Sequence, residues 1–128
     1  MFFPYRLDPA YRLMLTPFRL GPDDGVTLAA DTFTATFGRK RVEVPMANVV
    51  EAHATHDYQW FKAIGMRLSF VDDGLTFGTS THGGVCVHFA ERIPKVIGLR
   101  DHSALTVTVD DLDGLVEAIN ERAEGERD

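Results

Sequence analysis

The chain contains a single cysteine in 128 residues, so no disulfide can form within it. One thiol accords with a reducing compartment, where a small domain rests on packing and not on covalent staples. No apolar run approaches the ~20 residues that span a bilayer. The opening Met1-Phe2-Phe3-Pro4-Tyr5-Arg6 lacks the basic start, long apolar stretch and small-residue cleavage site of a secretory signal, and a cytoplasmic protein is expected. Walker, G-x-G-x-x-G, H-E-x-x-H and G-x-S-x-G patterns are missing, which removes the commonest nucleotide, metalloprotease and hydrolase signatures. No basic stripe is interleaved with aromatics, so nucleic acid is not an expected partner.

What is present is ordinary for one globular domain: 45% apolar and 25% charged residues. The charge is unevenly placed. Residues 1–109 carry eleven acids and eleven bases, whereas 110–128 carry eight acids and two bases, so the net charge of −6 resides in that last segment. An acidic end repels nucleic acid and anionic lipid near it. The one basic run, Arg39-Lys40-Arg41, fits a solvated turn or strand end.

Period-2 alternation dominates up to the last 20 or so residues. Tyr11, Leu13 and Leu15 alternate with Arg12, Met14 and Thr16, which predicts a first strand. Phe33, Ala35 and Phe37 share one face of a stretch beginning at Thr27, with Thr32, Thr34 and Thr36 on the other. Val42 and Val44 form a short strand stopped by Pro45, which donates no ladder hydrogen bond. Val50, Ala52 and Ala54 then alternate with Glu51, His53 and Thr55, and further strands are expected at Met66–Val71, Leu75–Thr79, Val85–Phe89 and Leu105–Val109. The echo between "DDGVTL" (23–28) and "DDGLTF" (72–77) is hairpin-turn chemistry, with Asp-Gly accepting positive φ, and not an internal duplication. Its paired carboxylates lack the spaced ligands of a calcium loop.

One helix is predicted. In "DDLDGLVEAINERA" the residues Leu112, Leu115, Val116 and Ile119 fall at i, i+3, i+4 and i+7, an apolar stripe that must lie on a sheet. Asp110 or Asp111 caps its start, and Gly125 is expected to end it, leaving residues 124–128 as a frayed acidic tail.

The stretch "STHGGVCVHF" (80–89) holds the lone thiol. His82-Gly83-Gly84 reads as a turn. Beyond it Val85, Val87 and Phe89 project to one face, and Cys86 and His88 to the other, about 6.6 Å apart along the strand. A C-x-H pair can share a zinc ion, yet a structural site wants four ligands and a catalytic one three plus water. His53, His56, His82 and His102 look scattered along the chain, and His53 and His56 diverge on a strand. No metal site, cofactor or catalytic residue is therefore expected, and the thiol reads as a half-buried strand residue. Two other stretches suit binding. Tyr58, Trp60 and Phe61 form either a core anchor or an exposed partner surface. His88, Arg100 and His102 are candidate contacts to a small molecule, with arginine suited to a carboxylate or phosphate; Glu91 and Asp101 lie among the basic residues of that connection.

The hairpin "GVTLAADTFTATFGRKRVEVPMANVVEA" (25–52) and the ending "ALTVTVDDLDGLVEAI" (104–119), a last strand running into a helix, resemble a bacterial pleckstrin-homology-like (PH-like) domain. The scarcity of lysine beside arginine, three against ten, is similar to that of high-GC actinobacterial proteins. The resemblance implies a mostly β fold with one C-terminal α-helix, a bent antiparallel sandwich or barrel capped by that helix. On this basis residues 1–10 are an N-terminal arm, 11–123 a single domain and 124–128 a tail. The family's lipid-headgroup binding through the first hairpin loop is not carried over, because "GPDDGV" is acidic here, and phosphoinositides are not expected partners. The resemblance implies a non-enzymatic binding or assembly module recognising a protein partner or itself. The alternative is a small-molecule binder or enzyme using a sheet cavity, for which a small barrel with a helical plug is the competing architecture.

Overall fold

Alternating residues need a partner layer for their apolar side, and here they supply two sheets that cover one another. The computed structural model describes residues 1–56, 65–68, 74–80, 83–94, 96 and 101–127, without the side chains of Met14, His56, Arg67, Glu126 and Arg127. The first sheet is a run of antiparallel neighbours, β1 (Phe2–Pro4), β2 (Gly25–Leu28), β3 (Thr32–Phe37) and β4 (Lys40–Pro45). The second contains β5 (Val49–His56), β6 (Gly65–Leu68), β7 (Leu75–Gly78), β8 (Gly83–Ile93) and β9 (His102–Val107), ordered β5-β8-β9-β7-β6. The sheets stack as a sandwich and do not close into a barrel.

One pair departs from the antiparallel expectation: β7 and β9 run parallel. The cause is strand order. β8 lies two positions from β7 and antiparallel to it, and β9, turning back from β8, fills the slot between them and so runs with β7. The expected turn at Gly83-Gly84 is also strand, since both glycines pair with β5 opposite His56 and Thr55.

The expected first strand at Tyr11–Thr16 is helical instead. A 3-10 turn (Pro9–Tyr11), the short helix α1 (Arg12–Leu15) and a second 3-10 turn (Thr16–Phe18) follow one another. Pro9 and Pro17 stand in the first turns of the two 3-10 elements, where a fixed φ and a missing N–H favour helical geometry. Tyr11 and Leu15, four apart, pack on the core while Leu13 between them is 88% exposed, so the period in use is helical.

The core lies between the sheets. Phe33, Ala35 and Phe37 of β3 face Leu75, Phe77, Val85, Val87 and Leu105 of the second sheet, all buried. The apolar stripe of the helix α2 (Leu112–Arg127) covers part of the second sheet: Leu115, Ala118, Ile119 and Ala123 are buried, with Leu112 and Val116 packed at the margin. Asp111 caps it, its carboxylate accepting from the Gly114 N–H at 3.0 Å. The helix continues to Arg127, past the break expected at Gly125, because one exposed glycine costs a helix only about 1 kcal/mol. Asn120 closes the outer edge of β5: its Oδ1 accepts from the Ala52 N–H (2.9 Å) and its Nδ2 donates to the Ala52 carbonyl (3.0 Å). A side-chain amide thus takes the place of a neighbouring strand and blunts that edge.

The first residues stitch the sheets together. β1 pairs with β2, and the chain then bridges to the second sheet, with the Arg6 N–H donating to the Thr108 carbonyl and the Asp110 N–H to the Pro4 carbonyl, both at 2.9 Å. Tyr5 is buried at this corner and its hydroxyl donates to the Thr36 carbonyl at 2.6 Å. Burial, and secondarily the Asp24 carboxylate, holds the Tyr5 phenol well above its ordinary pKa. A raised phenol pKa means that the folded chain keeps a proton the unfolded chain loses. This contribution is complete below about pH 10 and declines as pH rises above it, by ~1.4 kcal/mol per unit until the folded phenol itself ionises. Urea midpoints measured upward from pH 9 should therefore fall more steeply for the wild type than for Tyr5→Phe; parallel curves would contradict this account.

Candidate functional site

The pairing of β5 with β8 sets which side chains meet. Ala52 opposes Val87 and Ala54 opposes Val85, which turns these residues toward the sandwich interior. Period 2 then sends their neighbours to the outer face, where His53 stands opposite Cys86 and Glu51 opposite His88. Cys86 and His88 are half-buried and His53 is exposed. The Cys86 Sγ lies 3.6 Å from the His88 Nε2. The His53 and His88 rings, diagonal neighbours across the two strands, stack with centroids 5.1 Å apart and planes 21° from parallel. One ligand-competent atom from each of His53, Cys86 and His88 lies within 4.8 Å of the other two.

The outward-facing Cys86/His88 pair is the one expected from the strand pattern. The third member, His53, is not legible in spacing, because it arrives from a strand some 30 positions earlier in the chain. The usable signal was the alternation itself: Val50–Thr55 and Val85–Phe89 each show one apolar face, so pairing them in register leaves their polar residues together.

The other expected contacts fare differently. His102 opens β9 opposite Ile93 and is buried, its Nε2 accepting the Val96 backbone N–H at 3.1 Å. That bond gives it a structural part in holding the β8–β9 connection. His88 therefore faces Cys86 and His53, while His102 turns to Val96. Arg100, Tyr58, Trp60 and Phe61 lie outside the described residues.

A second feature is apolar. Among the described residues, four of the six large exposed hydrophobic side chains fall in the first 13 positions, Met1 (66%), Phe2 (45%), Leu7 (56%) and Leu13 (88%), with Val50 and Leu68 elsewhere. Leu7, Pro9, Leu15 and Leu20, with Arg12 and Arg19, line an open groove of about 470 Å³ beside α1. Among the described residues no helix is long and apolar enough to cross a membrane.

No family model, curated protein or solved structure matches the chain.

Proposed function

We propose that the chain is a non-enzymatic binding and assembly module of PH-like architecture that recognises a protein, either a partner or a second copy of itself. One observation carries the reading: Leu7, half-exposed, lines an apolar groove beside α1, and Leu13 of α1 itself stands open to water, on a segment whose backbone is fastened to both sheets. Monomeric proteins scatter exposed apolar side chains singly, and a cluster next to a concave surface marks an interaction site. The arginines at the groove rim, Arg12 and Arg19, supply the charged margin typical of interfaces around an apolar centre. The segment is ordered before it binds, so little conformational entropy is lost on docking.

Native mass spectrometry and sedimentation across a concentration series test this. The wild type is expected to form an oligomer, or to retain a protein in pull-downs from its source cells. The Leu7→Ser/Leu13→Ser variant should lose that association while its unfolding free energy stays within about 0.5 kcal/mol per site, as expected for exposed positions. A wild type that stays monomeric at every concentration and retains the same proteins as the variant would end this reading.

A further inference from the structure

We propose that His53, Cys86 and His88 form a three-ligand zinc site on the outer face of the five-stranded sheet, independent of the apolar surface beside α1. The donor set selects the metal class. A thiolate with two imidazoles suits zinc among the abundant divalent ions, whereas magnesium and calcium demand oxygen ligands. The distances agree. With Zn–S ≈ 2.3 Å and Zn–N ≈ 2.0–2.1 Å, tetrahedral angles place a sulfur and a nitrogen ligand about 3.6 Å apart. The observed separation of Cys86 Sγ and His88 Nε2 is 3.6 Å. A ring nitrogen of His53 lies within 4.8 Å of the Cys86 Sγ and of a ring nitrogen of His88. The exposed His53 ring closes the remaining gap, at most about 1.5 Å against tetrahedral spacing, by side-chain rotation without backbone movement.

The frame is preorganised. His53 and Cys86 are direct register partners on hydrogen-bonded antiparallel strands, and His88 follows Cys86 by two residues on the same face. The opposite face of those strands carries the buried Ala52, Val85 and Val87, so the core fixes the ligand spacing. Glu51, opposite His88 on the same outer face, adds negative charge that favours a cation. On binding, the Cys86 thiol gives its proton to solvent and the thiolate sulfur donates an electron pair to the metal, as the imidazole nitrogens of His53 and His88 do. Three protein ligands leave a fourth position for an exchangeable water.

Untagged protein, stripped of metal and titrated with zinc, is expected to bind one equivalent. Cobalt(II) in its place should give a sulfur-to-cobalt charge-transfer band that Cys86→Ser abolishes, and zinc should shield Cys86 from alkylation. Each of His53→Ala, Cys86→Ser and His88→Ala should weaken zinc binding more than about 100-fold, beyond the loss that removing an outer-shell partner alone produces. If the half-buried His88 variant fails to fold, His53→Ala, altered only at an exposed side chain, carries the test. Zinc binding below one equivalent, or binding by His53→Ala equal to the wild type, would overturn the site.

Discussion

Phe37→Ala is expected to lower the unfolding free energy by about 3–5 kcal/mol, the range for removing a fully buried aromatic ring. Phe37 is 1% exposed and touches aromatic rings from three separate parts of the chain. It stacks on Phe77 of β7 (centroids 5.3 Å, 12°), meets Phe18 after α1 at a tilt (5.1 Å, 49°) and takes Tyr5 edge-on (5.8 Å, 81°). Each such pair contributes about 0.5–1.5 kcal/mol beyond its buried area. The ring is therefore the point where the first sheet, the second sheet, the helical segment and Tyr5, which follows β1, share contacts. Its loss leaves a cavity that β3 and β7 cannot close without giving up their registers. Set against a typical total stability of ~5–15 kcal/mol, the deficit brings the variant near unfolding. Urea titration should show a lower midpoint at unchanged slope, with Phe2→Ala, altered at a half-exposed ring in the same sheet, shifting much less. Equal shifts for the two would mean that the aromatic cluster does not hold the sheets together.

How much of this was legible in the sequence depends on how local each feature is. The inner faces of β3, β4 and β8 could be read directly, because Phe33/Ala35/Phe37, Val42/Val44 and Val85/Val87 alternate where strands alternate. The helix stripe of Leu115 and Ile119 was legible for the same reason, at its own period. Residues 11–15 misled because Tyr11, Leu13 and Leu15 satisfy period 2 while Tyr11 and Leu15 alone satisfy period 4. Burial decides between them, and the flanking Pro9 and Pro17 were the local clue. The parallel β7–β9 pair and the meeting of His53 with Cys86 depend on strand order and register across distant segments, which no window of neighbouring residues encodes. Two of the three members of the candidate metal cluster, Cys86 and His88, could thus be read from the C-x-H spacing, and His53, which completes it, could not.

The same dependence on distant neighbours makes Gly38 a sensitive turn position. It is the first central residue of the two-residue turn joining β3 to β4, between the paired Phe37 and Lys40, and its φ is +62°. A positive φ at that position is the requirement of a type II′ hairpin turn, which glycine meets and other residues resist. A Cβ there would also overlap the backbone carbonyl oxygen of Phe18. The two costs add: about 1–3 kcal/mol for a non-glycine residue held in left-handed backbone, and another 1–3 kcal/mol for displacing a packed neighbour. The neighbour is no flexible side-chain tip. Moving the Phe18 carbonyl moves the segment that delivers the Phe18 ring to Phe37, so the damage spreads to the aromatic cluster. Gly38→Ala should therefore destabilise by about 2–6 kcal/mol although it only adds a methyl group at a turn. Gly21→Ala, where φ is not positive and no atom lies within 4 Å of the added carbon, should leave the unfolding midpoint nearly unchanged. Thermal and urea unfolding of the two variants side by side would expose the difference, and a Gly38→Ala chain as stable as Gly21→Ala would refute the close approach of Phe18 to the hairpin.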